Sequence, residues 1–304
     1  MKDDLWDCVI VGGGPAGLSA AVYMGRFLRR TLVVDDGQGR WSYGQTNDNY
    51  LGFPRGVGAR RLRALGWKQA ERFGVCFLEA TVSRVTRSGR GFSVHTSQKR
   101  LRARTVIWAA GVRDRWPCFR GARRLVGHRL FWCIVCDGWR TLDKKVLLIG
   151  RDPSAASTAL QFLTYTPDLT FAVEPGPITI RSPMRAKLGA EGIRWCSEAA
   201  RSAKAGPDGV DVWFDGGRRE RFDYVFSLLG STARTEGLAA LDLRYSPVGH
   251  IATDDKNRTN VPGFFAAGDV NDKHGHQVVS AAHEGAQAAQ AANFVLYPPR
   301  QRLP

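Results

Sequence analysis

Two short apolar runs each lead into a glycine-bearing turn, a helix-forming stretch and a second apolar run, which predicts an α/β protein with two Rossmann-like units. The runs are Cys8-Val9-Ile10-Val11 and Lys145 to Ile149. They do not alternate apolar with polar, as expected of strands buried on both faces of a parallel sheet. A third such run, near the C-terminal end, finishes in Gly268-Asp269 and supplies a further strand end beside the first unit.

The first run enters Gly12-Gly13-Gly14-Pro15-Ala16-Gly17, in which Gly12, Gly14 and Gly17 fit Gly-x-Gly-x-x-Gly. The first glycine permits a tight turn, the second lets backbone approach a pyrophosphate, and the third lets helix pack on strand. Leu18 to Met24 reads as the helix, whose N-terminus offers free N–H groups to an anion. Thr31 to Val34 is the next strand and ends at Asp35-Asp36. An acid about 20 residues past the glycines suits a ribose hydroxyl. Asp35 is the expected contact, with Asp36 as the register alternative.

Residues 41–54 are polar and aromatic without period and read as a loop. Arg60 to Phe73 returns to helical spacing, with Leu62, Leu65, Ala70 and Phe73 on one face. Val75 to Glu79, Thr81 to Thr86 and Gly91 to Thr96 read as strands, and Thr105 to Gly111 as a buried strand ending at Ala110-Gly111.

Trp132-Cys133-Ile134-Val135-Cys136-Asp137 follows. Two cysteines at this spacing can close a small disulphide, bind a metal, or do neither. The acid directly after them favours redox work, in which one sulfur attacks a partner, the other faces an electron carrier, and the carboxyl moves a proton. Cys8, Cys76, Cys118 and Cys196 are isolated, and each is expected to be a buried, inert thiol.

The second unit has the same order: Lys145 to Ile149, the turn Gly150-Arg151-Asp152-Pro153-Ser154-Ala155, a helix over Ala156 to Leu163 and a strand over Leu169 to Val173. Its chemistry differs. Asp152 stands at the middle glycine position, which puts a negative charge where pyrophosphate would pass unless the side chain points away. Past the next strand, Val173-Glu174-Pro175-Gly176-Pro177 has no arginine pair for a 2′-phosphate, whereas Glu174 would accept from a ribose hydroxyl, so NADH is easier to seat than NADPH.

Near the end of the chain, Asn260 to Val270 reads as a strand whose terminal Gly268-Asp269 would hold a dinucleotide's hydroxyls. Gln277 to Ala292 reads as a small-residue helix suited to close packing. His274, His276 and His283 have no Cys or carboxylate at matching spacing, and no metal site is expected.

In composition the chain resembles a water-soluble globular protein, with 304 residues, 43% hydrophobic and 24% charged. Its 44 Lys+Arg against 28 Asp+Glu give +16, which suits an acidic protein partner or an anionic membrane surface. The arginines are scattered and carry no nucleic-acid motif, so nucleic acid is not an expected partner. Met1 to Leu5 lacks a signal peptide's apolar segment, and no stretch approaches the ~18 apolar residues of a membrane helix. Six cysteines do not make a disulphide scaffold, and a cytoplasmic location is expected, peripheral to a membrane at most.

Taken in order, the glycine turn, the Gln45 loop, the Ala-Gly strand end, the Cys-x-x-Cys-Asp run, the second turn and the Ala-x-Gly-Asp closure resemble the low-molecular-weight thioredoxin reductase family over essentially the whole chain. The resemblance implies an FAD-binding domain, residues 1–115 and 248–304, split by an inserted pyridine-nucleotide-type domain, 116–247, that carries the cysteines. It implies a homodimer. It implies FAD contacts from Gly12, Gly14, Pro15, Ala16, Gly17, Asp35, Asp36, Gln45, Asn49, Ala110, Gly111, Gly268, Asp269, Gln277 and Val278. By the same likeness Cys136 faces the flavin, Cys133 exchanges with a partner's disulphide or a small dithiol, and Asp137 donates the proton. The departures fall between the cysteines, at the nucleotide site and near the end of the chain: Ile134-Val135 replaces Ala-Thr, Asp152 replaces glycine, no His-Arg-Arg segment stands near Glu174, Gly-x-x-Pro becomes Gly230-Ser231-Thr232-Ala233, and His276 replaces the Arg before Gln277. That pattern resembles the family's pyridine-nucleotide-independent members, some of which hold a second FAD where NADPH otherwise lies. Trp41, Tyr43, Trp116, Trp132 and Trp139 are the rings expected to stack on it, with ordinary core packing as the alternative for each. An NAD(P)H-dependent thioredoxin reductase and a flavin-containing redox sensor are the competing readings.

Overall fold

In the computed structural model, residues 5–271, 273 and 275–301 are described. The chain is α/β and forms two compact units. One comprises the residues up to Arg113 together with those from Thr232 on, and the other is the continuous segment Asp114–Ser231. The second unit is therefore an insertion.

The first unit is built on a sheet ordered Cys76–Glu79, Thr31–Asp35, Leu5–Val11, Arg100–Trp108, Gly91–Thr96 and Val82–Ser88, with Phe264–Ala266 also on Arg100–Trp108. Leu5–Val11 is parallel to both neighbours, with Cys8 opposite Thr31 and Thr105. Its apolar residues fill both faces, as the absence of alternation predicts. Ile10 joins Ala20, Ala21 and Met24 of helix Pro15–Arg26 and Ala288, Ala289 and Ala292 of helix Val278–Leu296. Val9 and Val11 join Phe92, Trp108 and Phe264 on the other face. Small residues let the two helices approach closely: a Cβ on Gly285 would lie 2.0 Å from Ala16 O.

The expected second boundary at 247/248 moves to 231/232. Residues 232–247 belong with the first unit because Gly237 O accepts from Val85 N at 2.9 Å, while Leu238, Leu241 and Leu243 are buried against Val85, Phe92 and Val94. The strand expected over Asn260 to Val270 contracts to Phe264–Ala266.

The second unit carries a five-stranded parallel sheet ordered Leu130–Phe131, Tyr224–Ser227, Val146–Gly150, Leu169–Val173 and Arg194–Cys196, and a three-stranded antiparallel sheet over residues 200–222. Helix Pro153–Phe162 packs Ala155, Ala156, Ala159 and Phe162 with Leu148, Phe171 and Phe226. No described helix is long and apolar enough to cross a membrane.

Candidate functional site

The first glycine turn leaves the end of Leu5–Val11 and opens helix Pro15–Arg26, whose N-cap is Gly14 with no side-chain cap. Gly12 has φ +107° and a Cβ there would meet Ala109 O at 2.3 Å, so only glycine fits. A Cβ on Gly17 would sit 1.8 Å from Gly12 O, which explains the third glycine. Above Gly14 a Cβ would meet nothing within 4 Å. The turn is tight on its protein side and open on the other, with helix amides uncapped by any side chain. That is the form a pyrophosphate needs.

Around this turn the structure gathers most of the residues expected to bind a dinucleotide. Asp35, 8% exposed, ends its strand with its carboxylate 2.8 Å from where a Gly13 Cβ would lie. Asp36 turns away, accepting from Arg234 at 2.8 Å and from Gln38 N, so the register settles on Asp35 as the residue facing the turn. Ala110, which leads into Gly111, lies against Gly12, its Cα 3.1 Å from a Gly12 Cβ. Gly268, at φ +77°, would bring a Cβ 2.9 Å from Ala16 Cβ. Asn49 Nδ2 donates to Gln277 Oε1 at 2.7 Å, joining two expected contacts that are far apart in the chain; Val278 begins the helix after them. Gln45 Oε1 is buried without a hydrogen-bond partner. A buried orphan acceptor is what a ligand donor would satisfy, and the open turn with Asp35 against it fits a dinucleotide.

Other residues here carry no local sequence signal. Arg40 donates to Asp269 at 2.7 Å and Arg63 to Asp35 at 2.6 Å. Glu284, 2% exposed, takes Gly268 N–H at 2.7 Å and Asn271 Nδ2 at 2.6 Å, and so fastens the Gly268-Asp269 turn to the final helix. A lone acid among alanines was the available clue to Glu284. The two arginines had none, since each partner is distant in sequence.

In the second unit Cys133 and Cys136 are joined as a disulphide. Cys133 is the N-cap of a single helical turn, Ile134–Asp137, its Sγ accepting from Cys136 N at 3.1 Å. Val135 is 70% exposed at the tip of this turn. Asp137, 5% exposed, accepts from Arg140 Nε at 2.9 Å, a partner not evident in the sequence. Trp116 and Trp132 meet edge to face at 5.2 Å, and Trp139 is 54% exposed with the Arg140 guanidinium over its ring. In the first unit Arg63 lies over Trp41 at 4.0 Å. Trp116, Trp132 and Trp41 thus have protein partners of their own.

The second glycine turn is built differently. Asp152 is the N-cap of helix Pro153–Phe162, and its Oδ1 accepts from Ala155 N at 2.9 Å. The expected picture of a carboxylate thrust across an open turn is therefore corrected. The side chain curls back onto the helix, as a capping aspartate does, and occupies an amide. Glu174 is 5% exposed, and its Oε1 accepts from Cys118 N at 2.7 Å. Glu174 also raises the Cys118 thiol pKa, through a hydrogen bond and then through charge.

Cys8 is buried, and desolvation pushes its thiol up to about 12; Cys196 is buried too. Cys76 and Cys118 are exposed, contrary to expectation, because Cys76 begins an edge strand and Cys118 precedes a turn. Of the three histidines, His274 lies outside the described residues. Among the described residues no group of three or more His, Cys, Asp or Glu could hold one metal ion.

A family model described as pyridine nucleotide-disulphide oxidoreductase matches residues 6–288. Thioredoxin reductase of Treponema pallidum is 32% identical over 307 residues, covering 96% of this chain and 97% of the relative. Thioredoxin reductase of Bacillus subtilis is 27% identical over 302 residues, covering 95% and 94%. Among solved structures, thioredoxin reductase from Streptococcus pyogenes superposes with a TM-score of 0.89 at 25% identity, covering 97% of this chain and 99% of that one.

Proposed function

Because the chain belongs to the pyridine nucleotide-disulphide oxidoreductase family, as a flavin-dependent enzyme of the thioredoxin reductase type, we propose that it exchanges electrons between FAD and the Cys133–Cys136 pair without a productive NADPH site. The observation that carries this reading is the pair of contrasting turns: Gly14 leaves its helix end open, and Asp152 closes its own. FAD supplies a two-electron carrier when bound. The Gly12–Gly17 turn would receive its pyrophosphate, Asp35 the adenosine ribose, and Gln45, Asn49, Asp269, Gln277 and Val278 the remainder.

The disulphide takes up two electrons and two protons to become a dithiol. Cys133, at the N-cap of its turn, then attacks a partner disulphide as the thiolate. Cys136 displaces the partner from the mixed disulphide, which releases the partner's dithiol and restores the starting bond. Run in reverse, the same steps oxidise a partner dithiol. Asp137, close in sequence to both sulfurs and held by Arg140, is placed to pass the proton. The partner is a thioredoxin-like dithiol protein or a small dithiol. The +16 charge suits an acidic protein partner, and the chain works as a cytoplasmic homodimer, peripheral to a membrane at most.

A second flavin in the inserted unit extends this reading, and counting extracted FAD per chain tests it: one rules the second flavin out. The rival is an ordinary NAD(P)H-dependent reductase, favoured by the whole-length likeness to thioredoxin reductases. Anaerobic mixing with NADPH or NADH decides between them. The flavin should stay oxidised, and rapid bleaching by either nucleotide at micromolar concentration would overturn the nucleotide-independent reading.

A further inference from the structure

Arg63, on helix Ala59–Glu71, occupies a position that the glycine pattern does not explain. Its Nη2 donates to Asp35 Oδ2 at 2.6 Å, and its guanidinium lies over Trp41 at 4.0 Å and Trp67 at 4.7 Å. Trp67 in turn stacks on Phe77 at 3.7 Å and donates to Glu71 at 2.9 Å. One carboxylate and two indoles thus hold this cation at the ribose position. Arg63 Nε is nevertheless buried with no acceptor. A buried charged N–H without a partner is costly and rare in native proteins. The cost is explained if the acceptor arrives with a ligand.

We propose that Arg63 is a specificity-determining residue for the adenosine diphosphate half of the bound dinucleotide. By fixing Asp35 through Oδ2 it leaves Oδ1 for a ribose hydroxyl, and its orphan Nε–H meets an acceptor on the adenosine. A carboxylate in the same place repels a 2′-phosphate, so the ligand class is an adenosine diphosphate with an unmodified ribose. Lysine cannot reproduce the arrangement, because it lacks the planar face that lies over Trp41 and Trp67 and the rigid fork that holds the Nη2 and Nε donors apart. The inference rests on the flavin reading and adds a residue to it.

The test uses flavin-depleted full-length chain and three probes: FAD, FMN, and ADP as a competitor of FAD. Arg63→Ala is expected to weaken FAD and ADP alike by about 10- to 100-fold, the scale of one or two hydrogen bonds to a charged group. FMN, which lacks adenosine, is expected to bind the variant as it binds the wild type. Arg63→Lys, the variant that keeps the charge if the alanine form does not fold, should recover only part of the loss. The proposal is overturned if Arg63→Ala binds FAD and ADP as the wild type does, if FMN weakens as much as FAD, or if Arg63→Lys recovers full affinity. If the wild type itself takes up no FAD, the flavin reading fails instead.

Discussion

The two glycine turns share one architecture and differ in one side chain. Both follow a strand that ends in an apolar run, both open a helix with proline at its first position, and both pack that helix through alanines. At Gly14 the amides of the helix end are left to whatever enters the cleft. At Asp152 one amide already has a carboxylate partner at 2.9 Å. A helix N-terminus binds an anion only while its N–H groups are free. The same fold therefore leaves an open helix end in one unit and a self-satisfied cap in the other. The acids at the next strand ends differ in partner: Asp35 sits against its turn and takes the Arg63 side chain, whereas Glu174 takes the backbone N–H of Cys118.

The largest effect should come from the element that distinguishes the units most. Cys136→Ser should abolish electron transfer between disulphide and flavin, by at least about 10³-fold in turnover. Flavin content should be unchanged, because the first turn is untouched. Loss of flavin along with activity would break the division of labour. Gly17→Ala should do the converse: with its Cβ 1.8 Å from Gly12 O, the turn must shift, and purified protein should carry less than about a tenth of the wild-type flavin.

Asp152→Ala sharpens the comparison most directly. Losing the cap should lower stability by about 0.5–2 kcal/mol, read in urea denaturation. It should also free Ala155 N–H, so that ADP-ribose gains affinity for the inserted unit in calorimetry. A stability loss with no gain in binding would show that the cap does not close the site.

Much of this was legible in the sequence. The turn Gly12–Gly17 announces itself because steric demands on backbone are local, and the cysteine pair because its chemistry lies within five residues. The direction in which Asp152 points was not legible: the same residue reads as an obstacle or as a cap until the helix end is seen. Nor were the arginines, since Arg40 meets Asp269 and Arg234 meets Asp36 only after the chain has returned from the inserted unit. Residues 232–247 were misassigned for a related reason. Their leucines carry no period that says which of two cores they will join.

Smaller effects probe the closed unit further. Glu174→Gln removes the carboxylate that raises the Cys118 thiol, so the midpoint of Cys118 alkylation by iodoacetamide should fall toward the ordinary thiol range. An unchanged midpoint would separate Cys118 from Glu174. Glu220 gives the smallest effect. Burial would raise its pKa, but hydrogen bonds from Arg194, Lys145 and Arg218 outweigh burial and hold it at about 2. Because the folded value is depressed, this stabilisation is full above the ordinary value of 4.5 and is lost as pH falls toward about 2. Glu220→Gln should flatten that part of the acid-denaturation curve, less so at high salt.

The single helical turn between the cysteines has a kinetic consequence. With Cys133 capping the amide of Cys136, the backbone holds both sulfurs of the pair close, and their Cα atoms are 5.3 Å apart. Once Cys133 is bonded to a partner, Cys136 attacks from a fixed position on the same turn. Its effective molarity then far exceeds any concentration of free thiol in solution. Mixed disulphides on Cys133 should therefore be short-lived. A partner could be trapped on the chain only by removing the second sulfur, and the lifetime of that trapped adduct measures how much the turn contributes to release.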